Sequence, residues 1–452
     1  MATSKTPRLL YADETGRIFD APGLAMVGQS GGHPVRLKIS DLIPLPPGSD
    51  LFMLPGRTPL GFDERNGRFE ELDGTHTVAA FVAPAYTLRA LAAYRSTSRA
   101  EAIPLNAYSA VGFLNGRYWV PAFRVDPDPR QDIERVVEKT MRNNAREDQR
   151  LFPDNQARRQ MELCAFTYHC PAARNYYHRR WEAPMPTSAA CNARCAGCIS
   201  LQPESAPPSP MNRLRCVPKA SEIADLIVPH LQRAERAIAS FGQGCEGEPL
   251  VNPALLLETV RLIRSRTKAG TLHLNTNASK PAAVRELIQA GLDSIRVSLC
   301  SARRRLYEAY TRPSGFSFDD VAESIRVAKE GGAFVSLNYF VFPGVTDQPE
   351  EIEALLKLIG RHPVDFIQMR NMNMDPDEYL KAVGRPKGPG LGIDRMMEAV
   401  HRMHPRVRFG YYNPPKEGWG KAGTVPPEHR KLSEKDARSR GRFAPKGDWK
   451  RC

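Results

Sequence analysis

Between about residues 185 and 403 the chain alternates apolar runs with helical faces. Runs of apolar or β-branched residues occur at 237–241, 271–276, 294–299, 334–342 and 366–369. Between them apolar positions recur at a period near 3.6. Leu256, Val260 and Ile263 share one face, and Val284, Leu287 and Ile288 a second. Val321, Ile325 and Ala328 share a third, and Ile352, Leu355, Leu356 and Ile359 a fourth. Asn252-Pro253, Ser279 ahead of Pro281, and Asp347 ahead of Pro349-Glu350-Glu351 mark helix starts. Strand and helix in turn predict a parallel sheet, because each crossover must return over a face of the sheet.

Counting the stretch before Cys191 as the first strand, six βα units fit, short of the eight that close a barrel. The expected fold is therefore α/β, a partial (β/α)6 TIM-like barrel over 187–403, and residues 406–412 can add an edge strand. Ahead of it, residues 1–150 read as a β-rich domain. Asp13-Glu14-Thr15-Gly16 separates two short apolar runs, and Asn115-Gly116 between 108–113 and 118–120 is a strong hairpin signal. The charged segment 131–163 has helical character, and the prolines of 170–186 suggest a connector, giving a linker over 151–186. Residues 404–452 form a basic extension, Pro/Gly/Lys/Arg-rich beyond Asn413 and predicted to be irregular.

Composition is that of a globular protein, 41% hydrophobic and 25% charged. No apolar run approaches the roughly 20 residues of a membrane span, and a charged N-terminus replaces a signal-peptide core, so the cytoplasm is the expected location and a membrane is not expected as a partner. The formal charge of +14 is uneven: residues 385–452 hold 17 Lys/Arg against 7 Asp/Glu, a balance of +10. Such a tail is most simply a solvated surface. With Trp419, Phe443 and Trp449 among its cations it also suits RNA, through phosphate pairing and base stacking.

Nine cysteines are too few for a disulfide scaffold, and three of them, Cys191, Cys195 and Cys198, crowd into eight positions as C-x3-C-x2-C. Three thiolates on one loop can ligate three corners of a 4Fe-4S cluster and leave the fourth iron open for a chelating molecule. The bland alternative is a zinc site completed by Cys216 or by Cys164 and Cys170. Those three cysteines can also be structural, or part of a second cluster.

Further elements follow the triad in order. Phe241-Gly-Gln-Gly-Cys-Glu-Gly247-Glu248-Pro249 closes the second strand, and Leu274-Asn-Thr-Asn277 ends the third. The fourth is Ser294-Ile-Arg-Val-Ser298-Leu299, and Tyr310-Thr-Arg312-Pro-Ser-Gly comes after it. With these, residues 187–375 resemble the radical S-adenosylmethionine (SAM) superfamily. The resemblance implies that Cys191, Cys195 and Cys198 hold the cluster. It also implies SAM contacts from Gly247, Glu248 and Pro249 at its amino group, Asn277, Ser298 at the ribose, and Arg312 at the carboxylate. The implied reaction is reductive cleavage of SAM to a 5′-deoxyadenosyl radical that takes a hydrogen atom from a substrate, with a one-electron donor such as flavodoxin or ferredoxin. Two positions depart from the pattern. Gly197 stands where an aromatic often shields the cluster, which leaves Ile199 and Val341 to pack adenine, and Glu246 replaces the first glycine of Gly-Gly-Glu-Pro.

Cys300, directly after the fourth strand, is a candidate hydrogen-atom donor or substrate contact, against the plainer reading of a buried thiol. Gln368 and Arg370 share a face at the end of the last strong strand and are candidates for SAM or substrate; Asn338, Tyr307 and Tyr310 are weaker ones. The substrate is open among protein or peptide, RNA and metabolite. A non-enzymatic alternative is an RNA-binding or scaffold protein with zinc or a cluster.

Overall fold

The computed structural model describes residues 6–98 and 100–426. The basic tail beyond 426, with Phe443 and Trp449, lies outside the described residues, as do residues 1–5. Trp419 is described, and it stacks on Phe334 at 4.8 Å between ring centroids, so this aromatic serves packing.

Residues 8–124 build a twelve-stranded antiparallel sheet and a two-stranded ribbon. The predicted hairpins are present. Asn115 and Gly116 both take positive φ (52° and 74°) between strands Gly112–Leu114 and Arg117–Val120, the backbone a two-residue primed turn requires. Around Gly16, the Asp13 carboxylate accepts from the N–H groups of Thr15 and Arg17, both at 2.9 Å. The charged stretch that follows is two helices, Glu138–Leu151 and Gln156–Phe166, broken at Pro153. The proline-rich stretch after it holds a third helix, Pro171–Tyr177, with Pro at its first turn where no N–H is needed.

Seven parallel strands come next: β1 (Glu182–Met185), β2 (Ile238–Phe241), β3 (Thr271–Thr276), β4 (Ser294–Leu299), β5 (Phe334–Val341), β6 (Phe366–Asn371) and β7 (Arg408–Gly410), paired in that order. The sheet thus starts before 187 and ends after 403. Pro184 is tolerated in β1 because that strand is an edge. Helices α1 (Ala220–Arg233), α2 (Pro253–Arg266), α3 (Pro281–Gln289), α4 (Arg304–Thr311), α5 (Phe318–Glu330) and α6 (Pro349–Arg361) lie between strands β1 to β6. Between β6 and β7 come α7 (Pro376–Val383) and α8 (Ile393–Met403). Among the described residues no helix is long and apolar enough to cross a membrane.

Polar side chains bridge the open side between the edge strands β1 and β7. Asn413, just past β7, donates to Glu182 of β1 at 2.7 Å and accepts from Gln368 of β6 at 2.8 Å, while its carbonyl accepts from Arg130 at 2.9 Å. Asp126 accepts from the N–H groups of Tyr411 and Tyr412. The β-rich region packs on the β6 side. Asn371 accepts from Leu88 N and donates to the Tyr86 carbonyl, and Arg57 meets Asp375 at 2.7 Å with both nearly buried.

Candidate active site

The loop after β1 carries Cys191, Cys195 and Cys198, all half-buried. Two neighbours fix its path. The start of the loop pairs with the Gly-Glu-Pro turn, where Gly247 N donates to the Ser188 carbonyl (2.7 Å) and Glu248 N to that of Ala190 (2.8 Å). A Cβ on Gly247 would sit 1.9 Å from the Ala190 oxygen, so only glycine permits this approach. Farther along, Arg194 N donates to the carbonyls of Thr311 and Arg312, Ala196 N to that of Tyr310, and Ser314 N to that of Asn192. The Asn192 side chain donates to Ser279 (3.0 Å) and accepts from Asn277 (2.7 Å), tying the loop to the end of β3.

Glu246, the departure in the sequence pattern, is the staple of this corner. Its buried carboxylate accepts from Thr187 N (2.6 Å), the Thr187 hydroxyl (3.2 Å) and Ser188 N (2.9 Å) on one side, and from Gly242 N (2.6 Å) and Gln243 N (3.1 Å) on the other. Burial pushes its pKa up to about 7, against the pull of the backbone N–H groups. Glu248, two residues on, is also buried and is pushed up to about 7 by burial. It accepts from the Thr276 hydroxyl (2.5 Å), Asn277 N (2.7 Å) and Leu250 N (3.0 Å). Three donors leave a carboxylate with acceptor capacity to spare.

Gly197 explains the missing aromatic. A Cβ there would lie 2.8 Å from the Tyr310 hydroxyl. Tyr310, from α4, fills that space and is held edge-on by Phe340 and Tyr379 at centroid distances of 5.9 and 6.0 Å. The aromatic absent from position 197 in sequence is supplied in space by position 310, which the motif alone did not reveal.

The thiols themselves suit a cluster. Burial pushes Cys191 and Cys195 above the ordinary thiol range. Arg213 donates to the Cys198 sulfur (3.3 Å) and to Ser200 (3.3 Å), a cation beside a prospective thiolate. Among the described residues no three His, Cys, Asp or Glu side chains converge on one ion site. A four-iron cluster binds each thiolate to a different iron and asks for wider spacing than one zinc, whose sulfurs all lie about 2.3 Å from it. Three sulfur donors on a loop held from both sides fit such a cluster with one iron open.

The other predicted residues divide. Pro249 is buried at the foot of the turn, and Ser298, half-buried, sits on β4 beside Asn338 of β5. Arg312 is exposed in left-handed backbone (φ 48°) at the end of α4, and its carbonyl is what joins the cysteine loop. Cys300 is buried against α4, its thiol 3.7 Å from the Thr311 hydroxyl and 3.9 Å from the Tyr307 carbonyl, and burial pushes its pKa up to about 12. Gln368 is fully buried with its amide spent on Arg296 (2.9 Å) and Asn413. Cys164 and Cys245 are buried together and Cys216 is exposed.

The family model for the radical SAM superfamily matches residues 185–359. Among curated proteins, a GTP 3′,8-cyclase of Chlorobaculum tepidum is 27% identical over 227 residues, 49% of this chain and 62% of that protein. A GTP 3′,8-cyclase of Heliobacterium modesticaldum is 30% identical over 230 residues, 49% and 64% respectively. The FeMo cofactor biosynthesis protein NifB of Klebsiella pneumoniae is 26% identical over 192 residues, 39% and 40%. The chain thus spans less than two thirds of the length of these relatives. A solved methylornithine synthase (PylB) is similar at 14% identity with a TM-score of 0.36, covering 62% of this chain and 77% of that one. The matched segment runs from the end of β1 into α6 and contains the cysteine loop and the Gly-Glu-Pro turn: over these residues the chain carries a radical SAM domain.

Proposed function

We propose that Cys191, Cys195 and Cys198 hold a site-differentiated 4Fe-4S cluster and that the chain is a SAM-cleaving enzyme acting on a substrate held over the barrel mouth. When bound, the cluster supplies one electron at its open iron, which splits SAM into methionine and a 5′-deoxyadenosyl radical. The rest is the work of this chain. Gly247, Glu248 and Pro249 form the turn that receives the SAM ammonium, for which Glu248 keeps an unused lone pair. Asn277 holds the cysteine loop through Asn192 while flanking the same pocket, and Ser298 offers a hydroxyl at the ribose. Tyr310 and its aromatic neighbours exclude water next to the thiols.

One observation carries this reading. The segment just ahead of the cysteine loop and the Gly-Glu-Pro turn are hydrogen-bonded backbone to backbone, so a molecule chelated at an open iron meets the turn. In the same reading residues 1–150 form a domain that selects the substrate, 151–181 join it to the barrel, whose sheet runs from 182 to 410, and the residues beyond 410 extend it. The electron donor is a flavodoxin or ferredoxin in the cytoplasm. RNA through the basic tail is one substrate class; a protein or peptide and a metabolite are the others, and the cyclase relatives make a nucleotide a natural first metabolite to try.

Anaerobic reconstitution followed by dithionite and SAM tests the proposal. 5′-Deoxyadenosine is expected from the wild type and, with one cluster corner lost, below about 1% of that from Cys195→Ala. A fully loaded wild type that never cleaves SAM would refute it.

A further inference from the structure

The barrel lumen contains an unneutralised positive site. Arg296 of β4 and Arg370 of β6 both occupy inward-facing positions, Arg296 reaching across to Gln368 on the face that Arg370 shares. The Nε of each guanidinium is buried without a partner, and so is Oδ1 of Asn338 on the strand between them. Tyr411 bridges the pair: the Arg370 guanidinium lies 4.1 Å from its ring centroid, and the same residue acts electrostatically on Arg296. Among the described residues no ion pair joins either arginine to a carboxylate. The nearest acid acting on Arg296 is Glu182, which already accepts from Asn413 (2.7 Å) and Gln243 (3.3 Å) and also faces the Arg130 charge. Burial, and next the charge of Arg370, push Arg296 down to about 9.

Holding two like charges together inside a barrel with donors unused is costly unless something arrives to pair with them. Gln368, His273 and Asn413 beside them are already paired. A planar guanidinium fork matches a carboxylate or a phosphate, and inward-facing forks can read such a group on a molecule entering from the mouth.

Building on the function proposed above, we infer that Arg296 and Arg370 form an anion subsite that grips a carboxylate or phosphate of the substrate, so that the substrate is an anionic molecule anchored beneath the SAM pocket. The SAM carboxylate is the rival source of the same chemistry. The substrate is favoured because Arg296 lies one inward position below Ser298, while Arg370, near the C-terminal end of β6, carries the pair up toward the mouth from which a substrate enters.

Equilibrium dialysis of labelled inorganic phosphate, and separately of succinate, against the full-length reconstituted protein at low salt tests this, with labelled SAM as the second arm. One of the two anions is expected to bind the wild type, and Arg296→Gln and Arg370→Gln are each expected to weaken it at least about tenfold. Exposed Arg304→Gln is expected to leave that binding in place. Bound anion should leave SAM affinity unchanged. Because each Gln variant removes an unpaired charge, its melting temperature without anion should not fall; if one fails to fold, Arg370→Lys, which keeps the charge and loses the fork, should still weaken binding severalfold. Absence of binding to the wild type, or binding in both Gln variants as tight as in the wild type, overturns the subsite. Competition between anion and SAM, with SAM itself weakened in the variants, gives the arginines to SAM and overturns the substrate assignment. A wild type that binds anion but never SAM contradicts the SAM reading and leaves the subsite standing.

Discussion

The loops at the mouth of this barrel and the inner wall of its strands spend their polar groups in opposite ways. At the mouth nearly everything is internally paired. Glu246 takes five donors from two loops, Glu248 takes three, and the cysteine loop leans on α4 through its backbone. Along the inner wall, Arg296, Arg370 and Asn338 keep buried atoms unanswered. A saturated mouth is a rigid frame for a cofactor whose geometry does not vary, whereas an unsaturated inner wall is specific for whatever completes it.

Three perturbations sharpen that contrast, taken from the largest effect. Tyr310→Ala opens a cavity against Gly197 and the aromatic pair around it, and should cost about 3–5 kcal/mol, while Tyr310→Phe, which keeps the ring, should cost under about 1.5 kcal/mol. Urea unfolding of the metal-free protein measures both; equal losses would mean that the hydroxyl, rather than the ring, matters at position 197. Glu246→Ala leaves four backbone N–H groups without their acceptor and should cost about 3 kcal/mol. The protein should also lose iron faster on chelator challenge than a Glu246→Gln variant, which retains one acceptor. Iron retained equally by both would remove Glu246 from the frame.

The smallest effect is a pH slope from the inner wall. Burial pushes His273 of β3 down to about 3, while an unfolded histidine titrates near 6.5. Below about pH 6.5 the unfolded chain therefore binds the proton that the folded chain refuses, and stability held at neutral pH is lost as pH falls toward 4. His273→Gln removes that term, so the melting-temperature gap between wild type and variant should narrow from pH 7.5 to pH 5. A constant gap would place His273 in contact with water rather than sealed beside Ser294 and Asn275.

The same division governs what the residues disclosed in one dimension. Strands β3 and β4 appear with the bounds their apolar runs predict, and β6 extends its predicted run by two polar residues. Strands buried on both faces read as continuous hydrophobic runs, and helical periodicity brackets each. The antiparallel region showed only its two tight turns, because strands as short as Leu91–Ala92 or Tyr94–Ser96 carry too little pattern to separate from loops. The cysteine loop and the Gly-Glu-Pro turn were legible as motifs since their ligands are local. The Glu246 staple joins residues 59 apart, and the Asn413–Glu182 bridge joins residues 231 apart. No local signal encodes either, although an acid in place of a glycine beside a cofactor turn was the one visible hint. Tyr310 is visible in the sequence only as a weaker candidate; its place against Gly197 requires the fold.

The central claim is that three thiolates leave one iron open beside the Gly-Glu-Pro turn. Electron paramagnetic resonance of the dithionite-reduced protein, recorded with and without SAM, tests it most directly. The account predicts a reduced 4Fe-4S signal whose g values shift when SAM is added, in wild type and not in Glu248→Ala. A signal indifferent to SAM, or a protein that takes up one zinc and negligible iron under the same reconstitution, would contradict it.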